Sequence, residues 1–186
     1  MTTTNAANRT NLSLRDMMLV SMFTAILAVL AYVAVPLPFS PVPVTGQTFG
    51  IMLIGLLLGK KRGVMAVALM LLLGAVGVPV FSGGRAGLSI LAGPTGGYLF
   101  SWLLSVVVID ALKSKIRGFK GAVIASFVGG VIVVYAIGVP WLAMSTGMTL
   151  SAAFVAGAMP FLPGDLFKVA IAALTAARMP KILFRQ

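Results

Sequence analysis

Long apolar runs, interrupted by short clusters of basic residues on one set of boundaries and by proline- and glycine-rich stretches on the other, set the pattern of this chain. The runs are continuous rather than alternating over about ten residues, which selects membrane-spanning helices over a transmembrane barrel. They predict helices over about Leu14–Val35, Gln47–Leu58, Gly63–Val76, Gly96–Leu112, Gly121–Ala143 and Pro163–Met179, with a short apolar half-helix over Thr149–Ala158. The expected architecture is an all-α membrane protein, a compact bundle of six transmembrane helices: a tail over residues 1–13, then a single helical domain over 14–186.

The first helix is expected to stop at Pro36. Beyond it, Pro36, Pro38, Pro41 and Pro43 lie in an uncharged stretch that ends at Gly46. Proline fixes φ and disfavours the α region in the residue before it, so the expectation is a stiff, extended loop. The second and third helices fall short of the roughly 20 residues a full span needs, so chain must dip inward opposite Lys60-Lys61-Arg62. Non-helical backbone at membrane depth is tolerated where it is buried in protein or lines a cavity. Gly77–Gly87 and Gly93–Gly97 have the composition for that role, and short Gly/Pro-interrupted segments point to a substrate site.

Composition sharpens the class. The chain is 60% hydrophobic and 9% charged over 186 residues, with a formal net charge of +11. The basic residues fall in short clusters between apolar segments, so they report topology and not a nucleic-acid surface. Of fourteen, twelve lie on one side of a six-helix reading: Arg9 and Arg15, Lys60 to Arg62, Lys113 to Lys120, and Arg178 to Arg185. The positive-inside rule makes that side the cytoplasm, with both termini there. The first helix is too long for a signal-peptide core and is read as retained. With no cysteine, no histidine and three acidic residues, a metal site built by this chain is not expected, nor is a cofactor.

Asp165 and Lys168 are the chemistry-bearing pair. Asp16 and Asp110 lie near basic clusters at helix ends, where water reaches them, whereas Asp165 sits within an apolar stretch. Ionisable groups inside membrane segments mark functional sites by default. Three residues apart, Asp165 and Lys168 share one helix face. Pro163 suits a first helical turn, which sets Asp165 near the positive end of the helix dipole. Arg85 is the other charge on the outer side. An intramembrane enzyme would need a nucleophile or second acid that this pair lacks, and no Gly-x-x-x-x-Gly-Lys-Ser/Thr motif is present for ATP hydrolysis.

Four motifs, Pro41–Thr48 (PVPVTGQT), Leu73–Phe81 (LGAVGVPVF), Gly93–Tyr98 (GPTGGY) and Pro160–Lys168 (PFLPGDLFK), resemble the BioY family of biotin-specific substrate-capture components of energy-coupling-factor (ECF) transporters. The resemblance implies high-affinity biotin binding from the outer face, below loop lids, by a non-enzymatic subunit in the cell membrane. It also implies partners: a transmembrane coupling subunit and two cytoplasmic ATPases. The alternative is a self-sufficient biotin carrier or facilitator that works as an oligomer without ATPases.

Biotin is a ureido-thiophane bicycle with a valerate carboxylate. On the resemblance, Asp165 accepts from the ureido nitrogens, and Lys168 either neutralises the carboxylate or stays paired with Asp165; Arg85 competes for that carboxylate. Thr45, Gln47, Thr95 and Tyr98 are candidate hydrogen-bonding groups, and Phe39, Phe81 and Trp141 candidate walls. Members carry an Ala-x-x-x-Ala pattern on helix 1 for docking to the coupling subunit; the counterpart here is Ser21-x-x-x-Ala25 or Thr24-x-x-x-Ala28.

Overall fold

A computed structural model describes residues 13–116 and 118–179. Most of the tail, and the topology assignments resting on Arg9, Arg117, Lys181 and Arg185, lie outside the described residues. The fold is mostly helical, and its first element is α1 (Leu14–Leu30). Its start is a capping box: Ser13 Oγ accepts from Asp16 N at 3.1 Å, and Asp16 Oδ2 accepts from Ser13 N at 3.2 Å. Asp16, expected to be solvated near a helix end, also pairs with Arg62 at 2.6 Å, which ties the start of α1 to the start of α3 (Gly59–Ala75).

The all-α expectation needs one amendment. α1 stops at Leu30, not Val35, and the proline-rich stretch forms an antiparallel hairpin of β1 (Ala34–Leu37) and β2 (Ser40–Thr45). Its register pairs Ala34 with Thr45 and Val35 with Val44, and breaks at Pro36 before Leu37 meets Ser40. Both strands are edges, so prolines without an N–H cost the ladder little.

α2 (Gln47–Leu57) follows the hairpin and is buried without interruption from Gly50 to Leu57. A helix that is apolar all round belongs in the centre of a bundle. α3 begins four residues earlier than the spacing predicts, so Lys60, Lys61 and Arg62 lie in its first turn. The chain then runs through a tight turn where Phe81 and Arg85 exchange backbone hydrogen bonds at 3.0 and 3.2 Å. Gly83 and Gly84 turn it with φ of 70° and 74°, a region glycine enters at no steric cost. Gly83 N donates to Ala31 O at 2.8 Å and Gly87 N to Gly74 O at 2.7 Å, anchoring the turn on the ends of α1 and α3. A short helix α4 (Leu88–Ala92), absent from the sequence reading, connects to α5 (Gly96–Lys115).

Next comes a helical rod of 29 residues, Gly118–Thr146. It consists of α6 (Gly118–Phe127), a π-helical turn over Val128–Ile132 and α7 (Val133–Thr146). The sequence reading ran this helix from about Gly121 to Ala143; the structure carries it from Gly118 to Thr146, with Pro140 inside α7. Within a membrane, neighbouring helices and local adjustments re-satisfy backbone groups that proline frees. α8 (Leu150–Gly157) and α9 (Leu162–Arg178) are bent by 53° at a short break, as a broken span or re-entrant loop would be. Among the described residues, α5 and the rod are each long and apolar enough to cross a membrane, and the bent pair makes a third candidate. Large apolar side chains such as Leu72, Val76, Met144 and Phe167 are exposed around the bundle, as a lipid-facing surface requires.

Candidate ligand-binding site

The site is built on the start of α9. Pro163 occupies its first turn, and Asp165 in that turn is only 3% exposed. Lys168, one turn on, spends all three ammonium hydrogens: Nζ donates to Thr45 O at 2.8 Å, Thr48 Oγ1 at 2.8 Å and Asp165 Oδ1 at 2.9 Å. Thr48 Oγ1 also lies 3.4 Å from Asp165 Oδ1. The phenol of Tyr135 donates to the other carboxylate oxygen, Oδ2. The pair therefore joins the end of β2, the first turn of α2, α7 and α9 in one hydrogen-bonded cluster.

This cluster forms part of the wall of a cavity with about 580 Å³ of empty space, including the part open to the outside. Ligand pockets carry a few placed polar groups on mostly apolar walls. Phe81, Leu99, Trp102, Val134 and Phe161 supply apolar wall here. Tyr98 is held by two glycines, since a Cβ on Gly138 would come within 2.4 Å of its ring and one on Gly157 within 2.3 Å of its hydroxyl. That hydroxyl donates to Gly157 O at 2.9 Å, and the ring meets Tyr135 edge-on with centroids 6.4 Å apart. Phe81 packs in the same way on Gly74, where an added Cβ would fall 2.1 Å from the ring. Arg85 is exposed and donates through Nε to Ser82 O at 3.0 Å. It borders both this cavity and a recess below the hairpin lined by Pro36, Ser40 and Pro41.

Seven of the ten sequence-selected site residues line the cavity: Thr45, Phe81, Arg85, Thr95, Tyr98, Asp165 and Lys168. Three do not. Gln47 points into the protein, its Nε2 donating to Val80 O at 3.0 Å and Leu27 O at 3.2 Å, because a fully buried amide must find partners where it lies. Trp141 donates to Gly93 O at 2.9 Å and packs on Gly97 and Phe100, outside the cavity. Phe39 is 63% exposed at the hairpin tip and borders a groove with α8 residues Ser151 and Val155. On α1, Thr24 is buried and its hydroxyl lies 3.0 Å from Ala66 O, so the Thr24/Ala28 pair does not form an outward stripe; Ser21 and Ala25 are exposed.

Sequence reasoning missed Thr48, Tyr135 and Trp102. A tyrosine in the middle of the apolar run Val131–Val139 was a usable signal, since a buried phenol needs a partner. Trp102 follows Tyr98 by four residues and so shares its helix face.

A helical integral membrane protein with a buried ion pair in the wall of a largely apolar cavity is the class this fold and site define. Within that class the chain belongs to the BioY family, whose family model matches residues 3–185. It is 42% identical over 172 residues to a biotin transporter BioY of Rhizobium etli, covering 88% of this chain and 91% of that one. With a biotin transporter BioY of Thermotoga maritima the identity is 41% over 169 residues, 91% of this chain and 98% of the relative. A crystal structure of the S-component for biotin from an ECF-type ABC transporter superposes with a TM-score of 0.85 at 30% identity, covering 92% of this chain and 96% of that chain.

Proposed function

We propose that this chain binds biotin with high affinity at the outer face of the cytoplasmic membrane and delivers it inward as the substrate-specific subunit of an ECF-type transporter. It acts as a transport subunit and not as an enzyme. The observation that carries the reading is the Asp165–Lys168–Tyr135–Thr48 cluster, a buried acceptor and cation in the cavity wall of a chain whose relatives are biotin transporters. A cyclic urea presents two N–H donors, and the Asp165 carboxylate is the acceptor of matching chemistry. Lys168 orients that carboxylate through the contact at 2.9 Å. Arg85, at the border of cavity and recess, is the cation for the valerate carboxylate, with Thr45, Thr95 and Tyr98 as further polar contacts and Phe81 as wall.

In this reading the single domain over 14–186 crosses the membrane six times, by α1, α2, α3, α5, the α6–α7 rod and α9, with both termini cytoplasmic. The hairpin, the Gly83-Gly84 turn and the α8–α9 break then face outward together. Partners are a transmembrane coupling subunit, which docks on the Ser21/Ala25 face of α1, and two cytoplasmic ATPases that supply the energy.

Titration calorimetry of the purified chain in detergent tests the binding step. Biotin binds the wild type, and Asp165→Asn or Lys168→Ala weakens it by about 1–3 kcal/mol, up to roughly 100-fold, with the fold intact. Unchanged affinity in both variants removes the pair from the site. Uptake in cells that express the chain with and without the coupling and ATPase subunits tests the partners: full uptake by the chain alone overturns the subunit reading.

A further inference from the structure

We propose that the indole N–H of Trp102 donates a hydrogen bond to the ring carbonyl oxygen of the bound ligand, an inference that rests on the biotin reading above. Trp102 lines the cavity from α5 and is 3% exposed. Its Nε1 is buried and has no hydrogen-bond partner among the described residues. Buried tryptophan N–H groups usually find an acceptor, and an unmet buried donor costs free energy that a ligand acceptor recovers. Trp141, the other tryptophan, meets this rule through Gly93 O at 2.9 Å.

Three neighbouring donors are committed elsewhere. Lys168 uses all three of its hydrogens, Tyr98 donates to Gly157 O, and Tyr135 donates to Asp165. Of the buried side-chain polar atoms that lack a partner among the described residues, Trp102 Nε1 is the one belonging to a cavity-lining residue. A cyclic urea that gives its N–H groups to a carboxylate still presents a strong carbonyl acceptor. A neutral indole donor on the buried wall matches that oxygen. The charged valerate end calls for a cation instead, and Arg85 stands exposed at the cavity border.

The test uses the full-length chain in detergent, labelled with 15N in its two tryptophans. Trp102→Phe and Trp141→Phe assign the two indole resonances. Biotin shifts the Trp102 indole proton downfield and leaves that of Trp141 in place. By calorimetry, Trp102→Phe weakens biotin about tenfold, the scale of one hydrogen bond to a neutral acceptor. The penalty persists for the amide of biotin, whose valerate charge is removed. It falls to about twofold for 2-thiobiotin, in which sulfur, a poor acceptor, replaces the ring oxygen. A Trp102 resonance that does not move, or equal penalties for biotin and 2-thiobiotin, overturns the inference while the biotin reading stands. A wild-type chain that does not bind biotin overturns both.

Discussion

Replacing Lys168 with methionine keeps most of the side chain's length and apolar stem while removing its charge, which makes Lys168→Met the most direct probe of the buried pair. The substitution deletes an ion pair at 2.9 Å and the donors to Thr45 O and Thr48 Oγ1. At an effective dielectric of about 20, the gross attraction at that distance is roughly 6 kcal/mol, most of it offset by the cost of desolvating both groups. What remains after the change is a carboxylate that is still buried, holding Tyr135 and Thr48 but no cation. Breaking one side of a buried pair costs about 3–5 kcal/mol. The lower end applies here, because Asp165 sits in the first turn of α9, where the helix dipole contributes up to about 1 kcal/mol. A loss of about 3 kcal/mol lowers the midpoint of thermal unfolding by roughly 6–12 °C for a chain of this size. The double variant Asp165→Asn/Lys168→Met removes both charges and regains about 2 kcal/mol, since it leaves no buried ion behind. The assay is thermal unfolding of all three proteins in one detergent, followed by tryptophan fluorescence. A double variant no more stable than Lys168→Met would refute the reasoning, for the carboxylate would then carry no burden that its partner relieves.

Tyr135→Phe removes one of the donors to Asp165 and is expected to weaken biotin about tenfold by calorimetry with little change in unfolding temperature, since the ring and its contact with Tyr98 survive. Gly138→Ala puts a methyl within 2.4 Å of the Tyr98 ring and costs about 1–3 kcal/mol of stability by thermal unfolding; pairing it with Tyr98→Leu recovers part of that loss. On α1, Ala25→Arg retains biotin binding and loses co-purification with the coupling subunit. Thr24→Arg instead lowers the yield of folded protein in detergent, because Thr24 is buried against Ala66.

Asp165 was legible in one dimension because its signal is compositional: an acid with apolar neighbours on both sides stands out whatever the fold does with it. The same holds for Pro163 at the start of α9, and for the class itself, since apolar runs of this length have no place in a soluble domain. What failed was the assignment of sides. In lipid the buried and the exposed faces of a helix are both apolar, so periodicity carries little information about which face meets the protein. Thr24 and Ser21 look alike in the sequence, yet one is buried against Ala66 and the other is exposed.

Tertiary structure alone decided that the prolines pair as a hairpin and that α7 absorbs Pro140. It also turned Gln47 inward to Val80 and Leu27, away from the cavity. The meeting of Tyr135, Thr48 and Trp102 around a pair 30 or more residues further along belongs there too, since Tyr135 and Asp165 come together only when α7 packs near the start of α9. Local residues dictate which segments leave water and where helices begin. The contacts between distant segments choose which polar groups end up facing one another across the cavity.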